Sequence, residues 1–172
     1  CGLCKLPWND IVPEDNKETA EPAKVIKHVA WYADFFSAVT GRKVGPDDLI
    51  TMSERVYNFQ RIFNLKMGYG TREYDTLPYR AMGPVTNQEY ESRAERYDTQ
   101  LKETYGMDIT AMDTQAKVAA LRSKREEQYE LLKDAVYTRR GWNSNGIPTV
   151  ATVKRLGIDF PEVLKVLEAN GV

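Results

Sequence analysis

The apolar residues of this chain return every three or four positions, in runs punctuated by proline and glycine, and no stretch alternates at period two. That pattern restricts it to helices, because a period near 3.6 gathers apolar side chains on one helix face and would scatter them over both faces of a strand. Val25, Val29, Tyr32, Phe36 and Val39 define a first helix over 22–40, with Pro22 in its first turn and Gly41 after its end. Pro46, Asp47 and Asp48 open a second over 46–67, where Leu49, Met52, Val56, Phe59 and Phe63 form the main stripe. Tyr57, Ile62 and Leu65 lie off that stripe, so this reads as the central buried helix.

The remainder follows the same logic. Residues 71–86 hold Pro78, Gly83 and Pro84 without a helical period and read as an ordered strap. Tyr90, Ala94, Tyr97, Leu101 and Tyr105 predict a third helix over 87–105, stopped by Gly106. A long helix over 114–140 carries Val118, Leu121, Tyr129, Leu132 and Val136 on one side, ends in Arg139 and Arg140, and has Gly141 at its C-terminal cap; its charged middle, 122–130, reads as exposed. After the turn signal Asn143-Ser144-Asn145-Gly146, one short helix runs from Pro148-Thr149 to Leu156, and another from Asp159-Phe160-Pro161 to about Ala169. The expected class is all-α, an irregular bundle of about five to six helices forming one domain over 1–172.

Charge narrows the function. With a net charge of -1 and interspersed charges, the chain has no single-signed field pointing to nucleic acid, and no apolar run is long enough to span a membrane. Two cysteines three positions apart make poor material for a disulfide framework, which places the chain in a reducing compartment and predicts a cytoplasmic protein. His28 is the only histidine, so a three-histidine metal site is excluded and a helix-surface role suffices for it. Carboxylate neighbours such as Asp47-Asp48 and Glu126-Glu127 point in different directions on a helix and form no shared-proton pair.

The chemically conspicuous stretch is the first: Cys1-Gly2-Leu3-Cys4, at the head of an irregular segment, 1–21, with Pro7 and Pro13. A thiolate is a nucleophile, a redox group and a soft metal ligand. A thioredoxin-type pair wants a strand before it and a helix after it, which this helical sequence does not offer. A zinc site needs two further ligands. One of the cysteines as a single ligand of an iron–sulfur cluster completed elsewhere is a third reading, and small buried hydrophobes a fourth. A chain opening on Cys reads as a segment of a longer polypeptide.

Three blocks bear on that choice: Gly2-Leu3-Cys4; Arg55 to Asn64 leading to Arg72-Glu73-Tyr74-Asp75-Thr76-Leu77-Pro78; and Arg140 to Thr149. In this order they resemble the C-terminal helical domain of the tungsten-containing aldehyde:ferredoxin oxidoreductase family. In that family an Asp-x-x-Gly-Leu-Cys motif supplies the last of four thiolates on a 4Fe-4S cluster and touches a tungsten bis-pyranopterin. The resemblance therefore implies Cys4 as the cluster ligand and Gly2 and Leu3 against the pterin, with Cys1 on a variable position. It further implies that substrate acid/base residues and three more cysteines lie upstream, so that this chain alone is inactive. The implied partners are the upstream domains and a ferredoxin or an iron–sulfur electron-transfer subunit.

Two departures qualify the match. Tyr74 stands where the family usually has an acid, and the charged segment 87–125 reads as a helical insertion. The insertion favours a divergent branch resembling the active-site subunit of ATP-independent benzoyl-CoA reductase, whose substrate is an aryl-CoA thioester rather than an aldehyde. In the second and third blocks, Arg72, Asp75 and Pro78 are expected to hold the strap and Trp142 to plug the end of the long helix. The alternative from another class is a non-catalytic helical interaction module with incidental cysteines.

Overall fold

A computed structural model describes residues 27–172, and all seven α-helices among them fall where the apolar period recurs; no strand occurs among these residues. The chain is all-α. Cys1, Gly2, Leu3 and Cys4, the 1–21 segment and the expected start of the first helix at Pro22 lie outside the described residues. Contacts divide the chain into two compact units, with the boundary after Phe59.

In the first unit, α1 spans Lys27–Thr40 and α2 begins at Pro46. Ser37 ties their connection, its hydroxyl donating to Val44 O and accepting from Val44 N. Asp48 Oδ2 accepts from Gly45 N at 2.8 Å, a carboxylate reaching back to the backbone ahead of the helix in half of a capping box. Of the expected α1 stripe, Tyr32 and Phe36 are half-buried, but Val39 is 85% exposed and the buried residue is Ala33.

Helix α2, Pro46–Lys66, departs from the expected central buried helix. Leu49 is buried, but Val56, Phe59 and Phe63 of the main stripe are exposed, while Asn58, Ile62 and Leu65 turn inward. The helix is apolar on two sides, and periodicity alone does not say which side its neighbours cover.

The second unit has two cores. In one, Ile62 and Leu65 of α2 meet Ile147, Val153, Leu156, Ile158, Val163 and Leu167. These last come from the turn after α5 (Thr114–Arg140), from α6 (Val150–Leu156), from α7 (Pro161–Ala169) and from their connections. Thr149 caps α6 by accepting from Thr152 N, and Pro161 occupies the first turn of α7, as expected. In the other core Tyr90, Tyr97, Leu101, Ile109 and Leu121 pack together. Full burial of each aliphatic residue in these cores contributes about 1.5–3 kcal/mol.

The expected third helix over 87–105 is broken. It forms α3 (Asn87–Glu91), α4 (Ala94–Thr99) and a π turn over Gln100–Thr104. Ser92 Oγ donates to Glu89 O at 2.8 Å, and Arg93 leaves the helical region at φ -138, so the α ladder stops between α3 and α4. The strap carries two short 3-10 turns, Arg72–Tyr74 and Tyr79–Met82. The charged middle of α5 is exposed or half-buried except at Arg122, which is buried: its Nη1 and Nη2 donate to Tyr79 O and Pro84 O, and its guanidinium lies 3.5 Å from the Tyr79 ring centre. Leu132 and Val136 of the expected apolar side are exposed, and Lys133 and Tyr137 are buried instead.

Candidate functional site

The second and third sequence blocks converge on one arginine. Arg61, near the C-terminal end of α2, donates from Nη1 and Nη2 to Asp75 Oδ1 and Oδ2 at 2.8 and 2.6 Å, and from Nε to Gly146 O at 2.9 Å. Its planar fork is thus matched on every edge, to a carboxylate on the strap and a carbonyl in the turn after α5. The side chains of Arg61 and Asp75 are 10% and 28% exposed, so the pair is largely withdrawn from water.

Tyr137, in the last turns of α5, adds a hydroxyl that donates to Asp75 Oδ2 at 2.5 Å. Burial alone would raise the Asp75 carboxyl, but the hydrogen bonds from Arg61 and Tyr137 outweigh it and hold the group below the usual carboxylate range. Burial and the same carboxylate push the Tyr137 phenol up to about 12. Asp75 stays ionised and Tyr137 stays protonated at neutral pH, each occupied by the other. The group is a strut with no free base.

Gly146 explains why the turn can come so close. It adopts φ +74, and a Cβ built there would overlap Arg61 Nη2 and the Tyr137 ring. Trp142 is buried, pairs with Pro148 in an antiparallel bridge, and lies under the Arg61 guanidinium at 4.8 Å and beside the Tyr137 ring at 5.8 Å. It closes the end of α5, as expected. Arg72 N donates to Asn145 O, while its guanidinium takes Glu130 and Asp134 on α5 and Ser144 O in the turn. Its hydrogen bonds to Asp134 and Glu130 raise the Arg72 pKa above its ordinary value. Arg72 and Asp75 therefore hold the strap to α5 and the following turn.

These contacts account for the second and third blocks as architecture. Sequence reasoning missed the part of Tyr137, which falls outside the blocks; its signal is an aromatic five residues before the Trp142 plug. Gly2, Leu3 and Cys4, the residues expected to meet cofactor, lie outside the described residues. Among the described residues no three of His, Cys, Asp and Glu gather to hold a metal ion, and no helix is long and apolar enough to cross a membrane.

Comparison with known proteins points to the same family. Residues 1–158 match the family described as aldehyde ferredoxin oxidoreductase, domains 2 and 3. The chain is similar to a Pyrococcus horikoshii protein named tungsten-containing aldehyde ferredoxin oxidoreductase, 41% identical over 49 residues, which are 28% of this chain and 8% of that protein. A Pyrococcus abyssi protein of the same name is 37% identical over 51 residues, 30% of this chain and 8% of that protein. The matched segments therefore cover less than a tenth of either relative's length. No solved structure matches the chain. With the family pattern running through 158 of its 172 residues, the chain belongs to the aldehyde ferredoxin oxidoreductase family.

Proposed function

We propose that this chain is the C-terminal helical part of a tungsten bis-pyranopterin, iron–sulfur oxidoreductase that oxidises aldehydes to carboxylates and passes the electrons to a ferredoxin. The observation that carries the reading is the family match beginning at residue 1, which takes in Gly2-Leu3-Cys4, together with two relatives whose names specify tungsten, aldehyde and ferredoxin. Cys4 is the thiolate this chain gives to a 4Fe-4S cluster. A soft sulfur donor suits iron, and since such a cluster takes four thiolates, others must come from outside this sequence. Gly2, without a Cβ, and Leu3 form the wall against the pterin. When bound, the metal supplies two-electron chemistry and the cluster relays electrons singly. In the balanced reaction an aldehyde and water yield a carboxylate, with two electrons to the carrier and three protons to solvent.

Within this reading the described part of the chain is a scaffold. Arg61, Asp75, Tyr137 and Gly146 clamp the strap and the end of α5, with no group left to shuttle protons. Exposed Phe63 near the C-terminal end of α2, and Met67 just after it, are what a domain packed against further domains presents. The charged segment 87–125 favours a second reading, reduction of an aryl-CoA thioester on the same cofactors.

Full-length protein prepared anaerobically tests the proposal by metal analysis and electron paramagnetic resonance. Tungsten and a cluster signal are expected, with the signal lost in Cys4→Ser and retained in Cys1→Ser. Absence of both metals, or equal effects of the two substitutions, overturns it in favour of a non-catalytic interaction module. Turnover of aldehydes against aryl-CoA thioesters decides between the two substrates.

A further inference from the structure

A second concave site lies away from the Arg61 clamp. Arg80 and Gly83 of the strap, Glu89 of α3, Arg93, Arg96 and Tyr97 around α4, and Arg125 of α5 line an open cavity of about 320 Å³. Four arginines thus line one space with a single carboxylate. That carboxylate is already engaged: Glu89 Oε1 accepts from Arg80 at 3.0 Å and Oε2 accepts from Val85 N at 3.1 Å. Arg125 is held in place by neutral groups, its Nη2 donating to Gln100 Oε1 at 2.7 Å and its guanidinium lying 5.5 Å from the Tyr97 ring centre. Gln100 is itself braced, donating to Tyr105 Oη, which donates to Gln128.

Arg93 and Arg96 differ from the other two. Arg93 immediately precedes α4 and Arg96 lies in its first turn; both are exposed and find no acceptor among the described residues. One turn before Arg125 on α5, Arg122 is buried on two carbonyls and no carboxylate, with its Nε lacking a partner. The wall is also built for close approach. Gly83 sits at φ +142, a backbone region that side chains rarely adopt, and a Cβ there would come within 3.4 Å of Arg125 Nη1. Like charges gathered without counter-charges are unfavourable in the free protein, and a bound oxyanion removes that cost.

We propose that this cavity binds the diphosphate group of a small-molecule ligand, with Arg93 and Arg96 as its exposed donors and Arg125 as the preset one. Diphosphate matches the arrangement because it offers several oxygens of delocalised charge to forked donors spaced around one volume. The site stands independently of the tungsten chemistry.

Isothermal titration of full-length protein with inorganic diphosphate, free of divalent cations, tests it. Saturable binding is expected, stronger than for inorganic phosphate, and weakened at least tenfold in the double variant Arg93→Gln/Arg96→Gln with an unchanged melting temperature. The control Arg139→Gln, on an exposed arginine outside the cavity, is expected to bind as the parent does. No saturable binding, equal loss in the control, or undiminished binding in the double variant overturns the proposal. So does a penta-glutamate peptide binding as tightly as diphosphate, which would make the cavity a protein-docking surface.

Discussion

The Arg61 clamp and the cavity beside α4 use the same side chain in opposite ways. At the clamp, one guanidinium is met on every edge by Asp75 and Gly146 and stacked on Trp142. In the cavity, four guanidiniums share one engaged carboxylate, and two have no acceptor among the described residues. Charge already differs, one arginine against one carboxylate at the clamp and four against one in the cavity. The inventory of acceptors separates them: an arginine whose donors are all satisfied holds the fold, and one whose donors are spare is available to something else.

Substitution can break that contrast, and the largest effect belongs to the clamp. Arg61→Ala leaves a largely buried Asp75 without its cation and the Gly146 carbonyl without the Arg61 donor, and we expect a loss of about 3–5 kcal/mol in denaturant unfolding of the full-length protein. Gly146→Ala combines a left-handed backbone with overlap against Arg61 and Tyr137; the expected loss is at the upper end of about 1–3 kcal/mol, and a neutral outcome would mean the turn is less tightly seated than described.

Tyr137→Phe keeps the ring and removes one hydrogen bond to a carboxylate, for about 1.5–3 kcal/mol. Its pH dependence sharpens the point. The folded phenol titrates near 12, above the ordinary value of 10, so its contribution is intact below pH 10 and is lost as pH rises from 10 to about 12. In the Phe variant this alkaline loss should vanish from stability-against-pH curves. Asp75 acts at the other end: its folded value lies below 3.8, so its contribution is present above that pH and is lost as pH falls through the folded value. The smallest effect is expected in the cavity, where Arg93→Gln/Arg96→Gln should change stability by less than about 0.5 kcal/mol. A loss there comparable to that of Arg61→Ala would erase the distinction.

Much of the fold was legible from residue pattern. The long helix was placed with its Gly141 cap, and α6 and α7 with their Thr149 and Pro161 starts, because capping chemistry is local. The facing of α2 was not, since two apolar stripes on one helix leave the choice to tertiary neighbours, and Ile62 and Leu65 prevailed over Phe59 and Phe63. The break at Ser92 hung on one hydroxyl competing for a helix carbonyl, which the tyrosine period conceals. The reading of Cys4 as a cluster ligand rests on its neighbours Gly2 and Leu3 and on resemblance, and it lies outside the described residues. The arginine cavity was not, because its members come from the strap, α3, α4 and α5 and share no motif.

The Arg61 clamp also has a temporal side. Arg61 and Asp75 are 14 residues apart and can find each other early, but Tyr137 lies 62 residues beyond Asp75 and Gly146 lies 85 beyond Arg61. Closing loops of that length costs chain entropy before the contact returns anything. During synthesis from the N-terminus, the strap must therefore wait for α5 and its turn to emerge, carrying a half-matched arginine until the chain has grown past Gly146.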